Sequence, residues 1–282
     1  MRIGRAAGSL AMPEKPAADA IMGDRYNREA RVVPALLSLA PVVISLFIWV
    51  PPLRDFVPGL VTFIGFFGGL IWLSYLSRPR AHRAQNLIFG NRARLPTTLM
   101  LRHDGAALAN NAACAEYALN GKQKDEYKKL FQELNQELTF PSQDEERQDP
   151  TAADVQYEFA TEWLREVTRD AKRFPLVIEE NISYGFHLTF FALRDIALRS
   201  AAFSFIAGVA ATLLASALKS FAVPPPEQII ALVLLAGYWS LVNSTVTAKK
   251  VEIAGCIYAQ QLFKSLHVLK MAARRPPDAG DS

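Results

Sequence analysis

Glu180, Tyr184 and His187 are the residues best spaced to do chemistry in this chain. On a helix they would share one face. A carboxylate, a phenol and an imidazole on one face suit a metal site or proton exchange, although the same spacing fits an ordinary polar helix surface. His103-Asp104 is a second acid–base pair, but it runs into Gly105, and Asp-Gly is a turn signal. No Walker sequence, GxGxxG, GxSxG or HExxH occurs. No Cys/His cluster suggests a metal, and no motif suggests a cofactor.

Arg78, Arg80, Arg83, Arg92 and Arg94 form the densest set of like charges, with no acidic residue before Asp104. Such a set can hold a phosphate ligand or a lipid head group, or it can fix membrane orientation. A second basic set, Arg165, Arg169, Lys172 and Arg173, alternates with Glu162, Glu166 and Asp170, which fits surface pairing along a helix.

The elements that must position these residues are apolar. Of the 282 residues, 51% are hydrophobic, and they concentrate in four runs: 32–50, 60–77, 200–218 and 228–246. None of the runs contains Asp, Glu, Lys, Arg or His. Each has about the length that crosses ~30 Å of hydrocarbon. Soluble core helices usually carry a polar stripe, and these runs do not. Between Arg78 and Leu198 there are 16 Lys and Arg against 18 Asp and Glu. The pI near 9.1 therefore comes from residues beside the runs, which is a topogenic pattern rather than a nucleic-acid footprint.

The expected fold is an all-α membrane protein, with two transmembrane hairpins flanking a mostly helical cytoplasmic insert. Residues 1–24 read as a disordered cytoplasmic tail and 25–77 as the first hairpin. Residues 78–198 read as the cytoplasmic domain and 199–247 as the second hairpin. A cytoplasmic amphipathic helix follows at 248–275, then a tail at 276–282. Basic flanks place both termini inside a bacterial inner membrane. Pro41 falls mid-span and predicts a kink.

Small and hydroxyl-bearing residues mark seams in the spans. Gly65 and Gly69 make a GxxxG pair. Ser204, Gly208, Thr212 and Ser216 recur four apart, and Ser240, Asn243, Ser244 and Thr247 close the fourth run. These stripes predict helix packing or a narrow polar path in an oligomer.

In the insert, 122–138 predicts an amphipathic helix. Asp149-Pro150 predicts the start of another, with Val155, Phe159, Trp163 and Val167 on its apolar stripe. Segment 95–102 reads as a strand or a loop lying along the membrane, and 140–149 as a solvated loop. Segment 249–271 continues the helical pattern and fits a direct extension of the fourth span. Cys114 and Cys256 lie far apart on the expected cytoplasmic side, where a structural disulfide is not expected.

The layout resembles, in outline, the four-span effectors of bacterial anti-phage signalling systems, though no residue motif carries their sites across. The resemblance implies a cytoplasmic domain that senses a ligand or partner and spans that oligomerise or form a pore. The alternatives are a membrane-anchored enzyme using Glu180, Tyr184 and His187, and a non-catalytic scaffold. The expected partners are the lipid bilayer and further copies of the chain, and not nucleic acid.

Overall fold

The computed structural model describes residues 25–50, 56–90, 95–103, 114–218 and 223–274, with all side chains except those of 56–64 and 66. The two expected tails, Arg92, Arg94 and the Asp104-Gly105 turn lie outside the described residues. So do parts of both proline turns.

The described residues form helices and connecting turns and no strand. Helix α1 is Arg25–Trp49, with a π-helical segment at Arg28–Val32. Helix α2 is Phe56–Phe89 and contains the expected second span. Helix α3 is Pro96–Leu101, a 3-10 turn covers Ala115–Tyr117, and α4 is Gly121–Leu134. Helix α5 is Gln143–Gln148 and α6 is Pro150–Val167. Helix α7 is Pro175–Leu218, α8 is Pro226–Thr245 and α9 is Ala248–Ala273. By length and composition, α1, α7 and α8 are long and apolar enough to cross a membrane.

Helix α7 is the axis of the molecule, packing against α1, α8, α9 and α2. Its 44 residues run unbroken, about 66 Å at ~1.5 Å per residue. Its first turns enter the core of a helical domain, and its second half lies in an apolar bundle.

Helices α1 and α7 run side by side in the same direction. A Cβ at Gly185 would meet Tyr26 Oη at 2.8 Å and the Ala30 methyl at 2.9 Å. Further along, Ser200 Oγ donates to the Ser38 carbonyl at 2.7 Å. At the far end, a Cβ at Gly208 would lie 2.8 Å from the Trp49 ring. Only glycine admits such close backbone approach.

Pro41 does not interrupt α1. Lacking an N–H, it leaves the Leu37 carbonyl, four residues back, without its helical donor. Tyr238 Oη of α8 donates to that carbonyl at 2.7 Å. A hydroxyl from a neighbouring helix thus replaces the bond that proline removes.

The helical domain has a conventional core in which α3, α4, α6, the start of α7 and α9 bury Met100, Leu101, Phe131, Tyr157, Leu164 and Phe263. Three local expectations change. Segment 96–101 is a helix opened by Pro96, not a strand or loop, and it is buried. Within the expected solvated loop, Ser142 and Glu145 form a capping box that starts α5. The fourth span does not continue straight into 249–271. The chain is extended at Thr247, and beyond that break α9 carries on along α7 into the domain core.

Of the apolar stripe expected on α6, Trp163 packs against Phe131 and the core, but Val155 is 63% exposed and Phe159 55%, while Ala153, Tyr157, Ala160 and Leu164 face inward. Small alanines admit α3 closely, and Tyr157 has a buried hydroxyl partner, so fit and hydrogen bonding outweigh raw apolarity. Asp149 caps α6 as expected, accepting from the N–H groups of Thr151 at 3.1 Å and Ala152 at 3.0 Å.

The course of α9 through the domain core also joins Cys114 to Cys256. The two form a buried disulfide with Cα atoms 6.0 Å apart, bridging a sequence separation of 142. This overturns the expectation of unpaired cysteines.

Candidate functional site at the membrane interface

Glu180, Tyr184 and His187 share a helix but make no hydrogen bond or ion pair with one another among the described residues. Tyr184 stacks parallel on Tyr258, ring centroids 6.2 Å apart. Its hydroxyl is buried beside Gln85 without a hydrogen-bond partner, and burial pushes its pKa up. The Tyr258 phenol is likewise pushed up to about 12 by burial. His187 Nδ1 lies 2.8 Å from the Ser183 carbonyl, and the ring lines a small cleft with Phe190, Val246 and Lys250. Tyr184 and His187 thus serve different surroundings, and Glu180 is half-buried.

The arginines give a different result. Arg80 and Arg83 on α2 meet Arg194 and Arg199 on α7 around one groove of about 520 Å³. Among the described residues Asp195 is the only carboxylate in its lining, and Leu87, Phe191 and Ile196 form apolar wall. Both helix segments lie just beyond the apolar runs, after Ser77 on α2 and before Ser200 on α7. Arg194 is oriented by Asn243, donating from Nη2 to Oδ1 at 2.7 Å and to the carbonyl at 3.3 Å. Its Nε is buried and unbonded. Arg78 lies on α2 but does not line the groove.

A buried polar network, not apparent in the sequence, holds the domain together. Arg102 grips Asp154 with two hydrogen bonds, Nε to Oδ1 at 2.6 Å and Nη2 to Oδ2. Lys124 Nζ donates to the Arg102 carbonyl at 2.5 Å. Lys128 Nζ lies 2.7 Å from His103 Nε2 and 3.3 Å from Tyr157 Oη. Tyr157 Oη donates to Glu146 Oε2 at 2.6 Å, and the His103 N–H donates to the same oxygen at 3.0 Å. Burial depresses the Lys128 pKa to about 8. His103 thus belongs to this network through its backbone and ring. The network ties the exit of α3 to α4, α5 and α6.

The small-residue seam of α7 packs within the chain. Ser204, Gly208 and Thr212 are buried against neighbours, whereas Ser216 is half-buried. Trp49 Nε1 donates to Thr212 Oγ1 at 3.0 Å, and Thr212 Oγ1 donates to Gln228 Oε1 at 3.2 Å. Gly65 and Gly69 join no seam, since no described residue lies within 4 Å of where their Cβ would stand. Ser240 and Ser244 face outward, and Ser244 Oγ donates to the Ser240 carbonyl at 2.9 Å. Asn243 serves Arg194, and Thr247 lines the His187 cleft.

No protein-family model matches this chain, and neither does a characterised protein or a solved structure.

Proposed function

We propose that the chain is a multi-pass inner-membrane protein whose helical domain senses a cytoplasmic ligand or partner. Four helices, α2 included, cross the bilayer with both termini cytoplasmic. The spans respond by oligomerising or opening a path, as in a membrane effector of a bacterial signalling system. One observation carries this reading. Helix α7 is a single rod that begins in the domain core at Val177 and ends in the bundle beyond Thr212. A stiff rod shared by two cores transmits a shift of one to the other. Helix α9 adds a second tie, since only Val246 and Thr247 separate it from α8.

The test uses the full chain in bacterial membranes. A cysteine replacing exposed Lys129 should react with an impermeant maleimide only in inside-out vesicles, because Cys114 and Cys256 are buried. Cross-linking in the same vesicles should give discrete oligomers. Labelling in intact cells, or a chain that stays monomeric, contradicts the reading.

A further inference from the structure

The groove between α2 and α7 carries more charge than the chain neutralises. Four guanidiniums face it against the single carboxylate of Asp195. Arg80, Arg83, Arg199 and Asp195 take part in no ion pair among the described residues. Arg194 is pinned by Asn243 with its Nε buried and spare. Gathering four like charges is costly unless an anion joins them, and guanidinium forks match phosphate oxygens in pairs.

The surface beyond the groove indicates what the anion is attached to. Ala202 and Ile206 follow Arg199 at helical spacing on α7, three and seven residues on. With Phe205, Leu235 and Trp239 they line a nearly apolar groove of about 340 Å³ between α7 and α8. Ile206 is 68% exposed and Trp239 44% exposed, so that groove lies open to its surroundings. A charged cradle at the end of the apolar runs, followed by an apolar trough along the same helix, has the polarity of a phospholipid.

We propose that this surface binds one anionic phospholipid, its phosphate among Arg80, Arg83, Arg194 and Arg199 and an acyl chain along Ala202, Ile206 and Trp239. A zwitterionic lipid brings its own cation into a site that is already positive, so the site selects against it. The proposal does not rest on sensing or pore formation, because retention of a lipid needs no opening of the spans.

Delipidated full chain in detergent would be titrated with dioleoyl phosphatidylglycerol, dioleoyl phosphatidylcholine or inorganic phosphate, and bound species read by native mass spectrometry. Phosphatidylglycerol should bind at least tenfold more tightly than phosphatidylcholine. Arg80→Gln with Arg83→Gln should remove that preference, while Arg78→Gln, outside the groove, should keep it. Ala202→Trp should weaken phosphatidylglycerol binding from the apolar side. If the double variant fails to fold, Arg199→Gln and the lipid ratio on the unaltered chain decide. Equal binding of the two lipids overturns the proposal, as does an unchanged preference in the arginine variants. Displacement of the lipid by equimolar inorganic phosphate also overturns it, and makes the occupant a soluble anion.

Discussion

The helical domain and the apolar bundle are packed differently. The core of the domain is made of large side chains, with Tyr157, Phe131 and Phe263 fully enclosed. The bundle packs Ala35, Ser38, Ala197, Ala201 and Ser204 beside Leu70, Leu73, Leu193 and Leu235, and turns many large side chains out: Phe203 is 70% exposed, Leu213 65% and Val233 66%. Removal of apolar surface from water drives the first arrangement. Between helices surrounded by lipid that force would be absent, and close approach with interhelical hydrogen bonds would take its place.

That contrast can be broken most severely at its tightest points. Phe131→Ala should lower the stability of the domain by about 3–5 kcal/mol, measured by thermal unfolding in detergent. Gly208→Leu should force Trp49 out of its seat and cost about 1–3 kcal/mol or more by overpacking. Ile206→Ala, three-carbon loss notwithstanding, should stay within about 0.5 kcal/mol, because Ile206 faces outward. A large loss at Ile206 would mean that the bundle is packed like the domain.

Polar contacts separate the regions next. Asp154→Ala leaves Arg102 without its carboxylate and should cost about 3 kcal/mol in the domain. Tyr238→Phe removes the donor to the Leu37 carbonyl and should cost about 1 kcal/mol, read as a lower melting temperature of the bundle.

The smallest effect is a pH dependence confined to the domain. The folded Lys128 loses its proton near pH 8, while the unfolded lysine holds it to about pH 10.4. Between those values the unfolded state binds more protons, so stability should rise with pH across that window. Below pH 8 the cost of burying the ammonium is fully present. Lys128→Met should flatten the slope of melting temperature from pH 8 to pH 10, and an unchanged slope would assign it elsewhere.

The sequence showed those features whose cause is local. The charge-free runs, the Asp149 cap on α6 and the seam of Ser204, Gly208 and Thr212 all follow from spacing and composition. The Ser142–Glu145 capping box was also written there, but a six-residue polar helix leaves no apolar period to find. Long-range fit was out of reach. Tyr157 displaces Val155 and Phe159 from the inner face of α6 because Glu146 and Lys128 wait for its hydroxyl. Cys256 reaches Cys114 only because α9 packs into the domain core. Of the five arginines nominated, the structure places Arg80 and Arg83 in the groove; their partners Arg194 and Arg199 come from a helix more than a hundred residues away.

A nitroxide placed at Ile206 in the full chain, reconstituted in phospholipid, would test the inside-out bundle most directly. Its accessibility to oxygen should be high and to a water-soluble nickel complex low, as for a group in contact with acyl chains. Ready collision with the nickel complex would contradict the arrangement, because Ile206 would then face water.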